Sequence, residues 1–130
     1  MLTTLFYMKS QSILIVDQQE VVRDSLQLIL SEEGFRCYTS CNANKAQKVL
    51  TVKPINIIIV DSQLLGRDGL FSFLQARYPA IKIIVMSSYS EIEVTQRALI
   101  DGAHDFVIKP LDFKELIDKI NYYLSTARQQ

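Results

Sequence analysis

The chain has no tryptophan, one histidine, two cysteines, three prolines and four glycines among its 130 residues. These scarcities exclude several classes of protein. A structural zinc site takes four Cys or His ligands, and Cys37, Cys41 and His104 are the whole supply. Two thiols fit a reduced, cytosolic protein rather than a secreted one stapled by disulfides. No serine or cysteine nucleophile can be matched to His104, which reads as a loop or surface residue. Fourteen basic residues balance fourteen acidic ones, so no basic excess exists to grip a phosphate backbone, and direct nucleic-acid binding is not expected. No apolar stretch approaches the ~20 residues of a membrane span. The segment 1–7 is apolar but lacks the basic start of a signal peptide, and reads as an upstream-start artefact or a packing arm. Repeats and low-complexity tracts are absent. A chain of this length supports one domain, here placed at residues 10–127 between an N-terminal extension (1–9) and a short tail (128–130). The tail has no room for an output domain, so the chain reads as a single-domain unit or an excised module.

What the chain does contain is four short apolar runs, each ending on a polar residue. Ile13–Val16 stops at Asp17, Ile57–Val60 at Asp61, Ile83–Met86 at Ser87 and Phe106–Ile108 at Lys109. Short β-branched runs of this kind predict strands buried on both faces of a parallel sheet. Parallel strands end on one edge, so two carboxylates, a hydroxyl and an ammonium are expected to converge there. Such a group suits a metal ion beside a phosphoryl group.

Helical periodicity fills the intervals. Val22, Leu26, Ile29 and Leu30 share one face of a first helix, which Gly34 is placed to end. Phe35–Thr39 reads as a second strand. Ala46, Val49 and Leu50 mark the next helix, and Pro54 blocks its continuation. Gly66-Arg67-Asp68-Gly69 forms a turn, with Asp68 as the expected N-cap of a helix carrying Leu70, Phe73 and Leu74. A fourth helix spans about Ser90–Asp101 and ends at Gly102. Asp112 and Glu115 resemble a capping box for the last helix, whose Phe113, Leu116, Ile117, Ile120 and Leu124 form an apolar stripe taken as core. Alternating β and α units with right-handed crossovers predict an α/β fold with helices on both faces of the sheet. In the doubly wound order 2-1-3-4-5, ligands bind where strand order reverses, between the first and third strands.

Taken together, ILIVD at Ile13–Asp17, IIIVDSQLLGRDGL at Ile57–Leu70, IIVMSS at Ile83–Ser88 and GAHDFVIKP at Gly102–Pro110 resemble the receiver domain of bacterial two-component response regulators. The resemblance runs from Ser10 to Ala127. The stretch Ser88–Glu93 is similar to receivers of nitrogen-regulator-class, enhancer-binding activators. The resemblance implies a flavodoxin-like (βα)5 fold, a cytoplasmic phosphoprotein that is not an enzyme, and phosphoryl transfer from a histidine kinase or phosphotransfer protein. It makes Asp61 the phosphoacceptor, Asp17 a magnesium ligand, Ser87 the switch hydroxyl, Lys109 the phosphate-contacting lysine and Phe106 the aromatic switch. The backbone carbonyl of Gln63 would be a further metal ligand, and a cis peptide is expected before Pro110. The output surface would be the fourth helix, fifth strand and fifth helix, facing an effector, an output domain or a second copy.

This chemistry wants these residues for a physical reason. A carboxylate that attacks a phosphoryl group sets anion against anion, and magnesium relieves this through oxygen ligands. A lysine adds a point charge, and a serine adds a donor that can move.

Two departures qualify the resemblance. Gln18 stands where the family has a second carboxylate, so its metal contact is doubtful. Opposite unit charges ~4 Å apart attract by ~4 kcal/mol at an effective dielectric of 20. Allowing for desolvation, the loss lowers magnesium affinity by about one or two orders of magnitude. Glu20 is nearby and either compensates or complements the helix dipole. Leu65 replaces a common proline, leaving the loop less rigid or exposing an apolar contact. Tyr89 is placed to shield an aspartyl phosphate, and the segment from Gly69 to Ser87 looks short.

The alternative is a receiver-like interaction module that binds magnesium weakly and acts without phosphorylation. Enzyme readings are poor. A haloacid-dehalogenase-like phosphatase wants a general acid at Gln63, and a dinucleotide site wants a glycine loop where Asp17-Gln18-Gln19-Glu20 stands.

Overall fold

The computed structural model describes residues 11–129. The expected extension at 1–9 lies outside them. Five parallel strands form one sheet: β1 (Ser12–Val16), β2 (Arg36–Ser40), β3 (Ile57–Asp61), β4 (Lys82–Ser87) and β5 (Asp105–Ile108). Their spatial order is β2-β1-β3-β4-β5. Helices α1 (Glu20–Glu32), α2 (Ala43–Val52), α3 (Leu70–Arg77), α4 (Ile92–Asp101) and α5 (Phe113–Gln129) connect or follow the strands. This is the α/β architecture that the run pattern predicts, in the flavodoxin-like form that the resemblance implies.

Side chains of a strand alternate between faces, and here that alternation divides the core. Ile13, Ile15, Ile57, Ile59, Ile84, Met86 and Val107 meet Leu26 and Leu30 of α1 and Leu116, Ile120 and Leu124 of α5. Leu14, Val16, Ile58, Val60, Ile83 and Val85 meet Ala46 and Leu50 of α2, Leu70 and Leu74 of α3, and Ala98 of α4. Both faces are dry because every residue of Ile57–Val60 is fully buried. Fully burying such a side chain contributes about 1.5–3 kcal/mol, so the strand centres hold the register. That register pairs Val16 with Val60, Asp61 with Met86, and Ser87 with Ile108.

Helix ends follow local chemistry. Gly34 takes φ 99° after α1, where a Cβ would be strained, and the Phe35 N–H reaches the Leu30 carbonyl at 3.1 Å. α2 closes at Val52, ahead of Pro54. The Asp112 carboxylate accepts the Glu115 N–H at 3.2 Å, forming one half of the expected box. α5 continues through Gln129, so it enters the segment set apart as a tail. The peptide between Lys109 and Pro110 is cis.

Four boundaries differ from expectation. β2 is shifted by one residue, to Arg36–Ser40, and β3 includes Asp61. A 3-10 turn at Tyr89–Glu91 precedes α4, which starts at Ile92. Asp68 does not cap α3: it takes φ 51° in the left-handed region, and Gly69 occupies the cap position with no side-chain bond. The turn needs two successive positive-φ residues, and an aspartate in that conformation does not present its carboxylate to the helix start. Leu65 is 3% exposed and belongs to the core. It therefore offers no surface contact, because Ser62–Leu65 folds as a helical turn rather than an open loop.

His104, in the turn before β5, is half-buried. Its Nδ1 accepts the Ile83 N–H at 3.0 Å, and the His104 backbone N–H donates to the Ile83 carbonyl at 2.9 Å. Burial, then the charge of Lys82, pushes the imidazole below its ordinary range. Because the unfolded chain binds the proton more readily, stability is complete above the unfolded value of 6.5 and is lost as pH falls below it. Chemical denaturation at pH 7 and pH 5.5 should show that loss. His104→Ala should shrink the pH dependence while lowering stability at pH 7 by about 1 kcal/mol, the worth of one hydrogen bond.

Candidate functional site

The sheet register places the ends of β1 and β3 side by side at the point where strand order reverses. Asp17 leaves β1 with 1% exposure. Its Oδ1 accepts the Gln19 N–H at 2.8 Å, and its Oδ2 accepts from Lys109 Nζ at 2.7 Å. Asp61 ends β3 and caps the following helical turn, with Oδ1 accepting the Gln63 N–H at 2.8 Å. Its Oδ2 meets the same Lys109 Nζ, also at 2.7 Å. One ammonium therefore bridges two carboxylates from different strands.

Lys109 arrives from β5 across the sheet because its backbone N–H donates to the Ser87 carbonyl at 2.8 Å. Burial works against its charge, but the hydrogen bonds and charges of Asp17 and Asp61 outweigh it and push the ammonium above the ordinary lysine range. The lysine therefore stays protonated throughout the neutral range. With two carboxylates and one ammonium, the cluster keeps a net negative charge. Its accessibility is unequal: the Asp61 side chain is 15% exposed against 1% for Asp17. An incoming group meets Asp61.

Ser87 lies fully buried at the end of β4, and its hydroxyl donates to the Ser88 carbonyl at 2.9 Å. It thus stands at the same edge, with its proton turned to the backbone. Phe106 is half-buried against the core on the α2–α4 side, and the Lys119 ammonium sits 5.3 Å from its ring centroid. Lys119 also donates to the Phe106 carbonyl at 2.7 Å and to Asp105 at 3.0 Å. The Tyr123 hydroxyl donates to Asp105 at 3.1 Å, and its pKa is pushed up to about 12 by burial and then by that carboxylate. Tyr89 is 78% exposed and lines a cleft with Phe106, Lys109, Pro110 and Lys119.

Gln18 is exposed beside Asp17, and Glu20 is exposed at the first position of α1. Among the described residues no group of three His, Cys, Asp or Glu side chains is arranged to hold a metal. The donor set nevertheless suits a small hard cation. Two carboxylates already stabilise positive charge at one point, and all the candidate ligands (Asp17, Asp61, the Gln63 carbonyl, the Gln18 amide) are oxygens.

Sequence reasoning missed Arg23. Its Nη1 donates to the carbonyls of Asp17 at 2.8 Å and Gln18 at 2.9 Å, pinning the loop after β1. An arginine one turn into the helix after an acidic strand end was the available signal. The Lys119–Asp105–Tyr123 network was also missed, since its members are far apart in the chain and unremarkable singly.

The family model described as "Response regulator receiver domain" matches residues 13–121. The chain belongs to the response regulator receiver family. A response regulator of Rickettsia bellii described as NtrX-like is 33% identical over 109 residues, covering 81% of this chain and 23% of the relative. Sporulation initiation phosphotransferase F of Bacillus subtilis is 28% identical over 119 residues, covering 90% of this chain and 96% of that protein. The crystal structure of NtrX from Brucella abortus in complex with ADP superposes with a TM-score of 0.85 at 28% identity, covering 92% of this chain and 27% of that one. The receiver thus spans about a quarter of the length of its NtrX-like relatives. It is an NtrC/NtrX-like receiver domain of two-component systems. Among the described residues no helix is long and apolar enough to cross a membrane.

The shared ammonium has a measurable consequence. Lys109→Met leaves two neighbouring carboxylates uncompensated. Breaking a fully buried pair costs 3–5 kcal/mol, and Lys109 is 24% exposed, so a loss of about 2 kcal/mol is expected at pH 7. Adding Asp61→Asn to Lys109→Met should recover part of it. Urea midpoints at constant slope test both statements.

Proposed function

We propose that this receiver accepts a phosphoryl group on Asp61 from the phosphohistidine of a histidine kinase or phosphotransfer protein, and that the modified state presents a changed surface to an effector. The observation that supports the reading is the Lys109 ammonium held 2.7 Å from both Asp17 and Asp61 at the sheet's reversal point. The greater exposure of Asp61 supports it as the nucleophile, with Asp17 as the buried partner of Lys109. One Asp61 oxygen forms a bond to phosphorus while the phosphorus–nitrogen bond of the donor breaks. The electron pair leaves on the imidazole nitrogen, which takes a proton from solvent. The Gln63 N–H holds the other Asp61 oxygen and keeps the carboxylate aimed. Lys109 then shifts one of its hydrogen bonds to a phosphoryl oxygen.

Asp17, Asp61 and the Gln63 carbonyl would hold magnesium, with Gln18 contributing at most an amide oxygen. Bound there, magnesium would neutralise the phosphoryl oxygens facing the carboxylates. In the switch, the Ser87 hydroxyl turns from the Ser88 carbonyl to the phosphoryl group and Phe106 rotates into the space vacated. The Lys119 contact with that ring lies on α5, so the α4–β5–α5 surface carries the change. In longer relatives that surface would address an output domain, and a transcriptional role would belong to that domain.

Acetyl phosphate or phosphoramidate with millimolar magnesium should add one phosphoryl mass, read on the intact protein, and Asp61→Asn should abolish the addition. A protein unmodified at saturating donor and magnesium would instead be an interaction module that works without phosphorylation. Gln18→Asp should lower the magnesium concentration for half-maximal modification by about tenfold or more, since it restores one ligand charge.

A further inference from the structure

Next to the acidic edge, beyond β2, the molecule carries a cleft of the opposite charge. Arg23, Thr39, Ser40, Cys41, Lys45, Lys48 and Val49 line a space of about 430 Å³. Three of the lining side chains are cationic, and none is a carboxylate. Neither Lys45 nor Lys48 forms an ion pair among the described residues, and Arg23 bonds only to backbone carbonyls. Ser40 is 5% exposed, and its hydroxyl has no hydrogen-bond partner among the described residues. Cys41 immediately precedes Asn42, the N-cap of α2, so the positive end of a ten-residue helix adds to the field. The Asn42 amide donates to the Cys41 sulfur at 3.7 Å.

The chain's second thiol provides a contrast. Cys37 is packed against the α1–α5 core and donates its proton to the Phe35 carbonyl, and burial pushes its pKa up. Burial with a raised pKa lowers its reactivity.

We propose that Cys41 is a modification site for anionic low-molecular-weight disulfides, which the basic cleft beside it draws in and orients. The Cys41 thiolate attacks one sulfur of the incoming disulfide. A bond forms from Sγ to that sulfur, the original S–S bond breaks, and the other half leaves as a thiolate that takes up the proton Cys41 gave away. Cys41 is oxidised and the small disulfide is reduced by one thiol equivalent. The adduct's carboxylates lie among Arg23, Lys45 and Lys48. Cys37 cannot displace the adduct, because four residues of extended chain span roughly 13 Å, whereas disulfide-bonded Cα atoms lie within about 7 Å. The product is therefore a stable mixed disulfide.

The test compares two probes, oxidised glutathione, which is anionic, and hydroxyethyl disulfide, which is neutral, on the full chain. Site and rate are read by intact mass and peptide mapping. The neutral probe reports the thiolate fraction and the fold, and the ratio of rates isolates the cleft's field. The expected result is an adduct on Cys41 that is lost in Cys41→Ser and kept in Cys37→Ser. The anionic-to-neutral ratio should drop about tenfold in Lys45→Glu/Lys48→Glu. In the unaltered chain the ratio should also fall as added salt shortens the screening length. An equal ratio in the charge-reversed and unaltered proteins, or an adduct that forms first on Cys37, overturns the proposal.

Discussion

A single ammonium, that of Lys109, lies between two carboxylates from different strands, and the edge of the sheet is organised around it. Asp17 and Asp61 approach each other only because that charge separates them. Their remaining oxygens are held by the backbone N–H groups of Gln19 and Gln63. Lys109 in turn reaches the pair only because β5 is hydrogen-bonded to β4 and hands its last N–H to the Ser87 carbonyl. The site is thus a joint property of β1, β3, β4 and β5, and it persists because the apolar centres of those strands cannot slip without exposing a face.

The same alternation that divides the core also divides the site. Residues on the α1–α5 side support the acidic pair through the loop that Arg23 pins. Residues on the α2–α4 side hold Phe106, whose ring contacts Lys119 of α5 at the rim. A charge change at Asp61 is therefore one residue pair from Ser87 along the sheet, and Ser87 is one pair from the strand that carries the ring. The distances are short and the intervening strands are stiff, which suits a switch that works by exchanging one hydrogen bond for another.

Gln18 gives this receiver its particular character. It keeps the backbone position of the loop, since its carbonyl is bound by Arg23, but contributes no charge. The negative charge of the site then rests on two carboxylates that already share an ammonium. The cleft behind β2 is the electrostatic opposite, with Arg23 reaching the Asp17 carbonyl on one side and lining the basic space on the other. Two regions of opposite sign thus meet at one arginine in a chain of zero formal net charge.

Much of this is legible in the residues themselves. Ile57-Ile58-Ile59-Val60 is too short and too apolar for anything but a doubly buried strand, and each such run ended on the residue that the edge needed. The meeting of Asp17, Asp61 and Lys109 was reachable because runs buried on both faces predict parallel strands and a common edge, whereas the cis peptide was expected only from the family resemblance. Local turn chemistry was less readable. Asp68 looked like a helix cap yet takes a left-handed backbone, because the geometry of the whole turn outweighs one side chain's preference. Leu65 looked like a loop substitution yet is core, because Ser62–Leu65 coils into a turn of helix. The Arg23 clamp, the resting bond of Ser87 and the cations around Cys41 join residues distant in the chain or choose among rotamers of equal local cost. The chain alone determined which residues are buried and which lie at the edge, since hydrophobic periodicity is a local code. Which polar atoms touch, and which cations share a cleft, was decided only when the packed sheet set their distances.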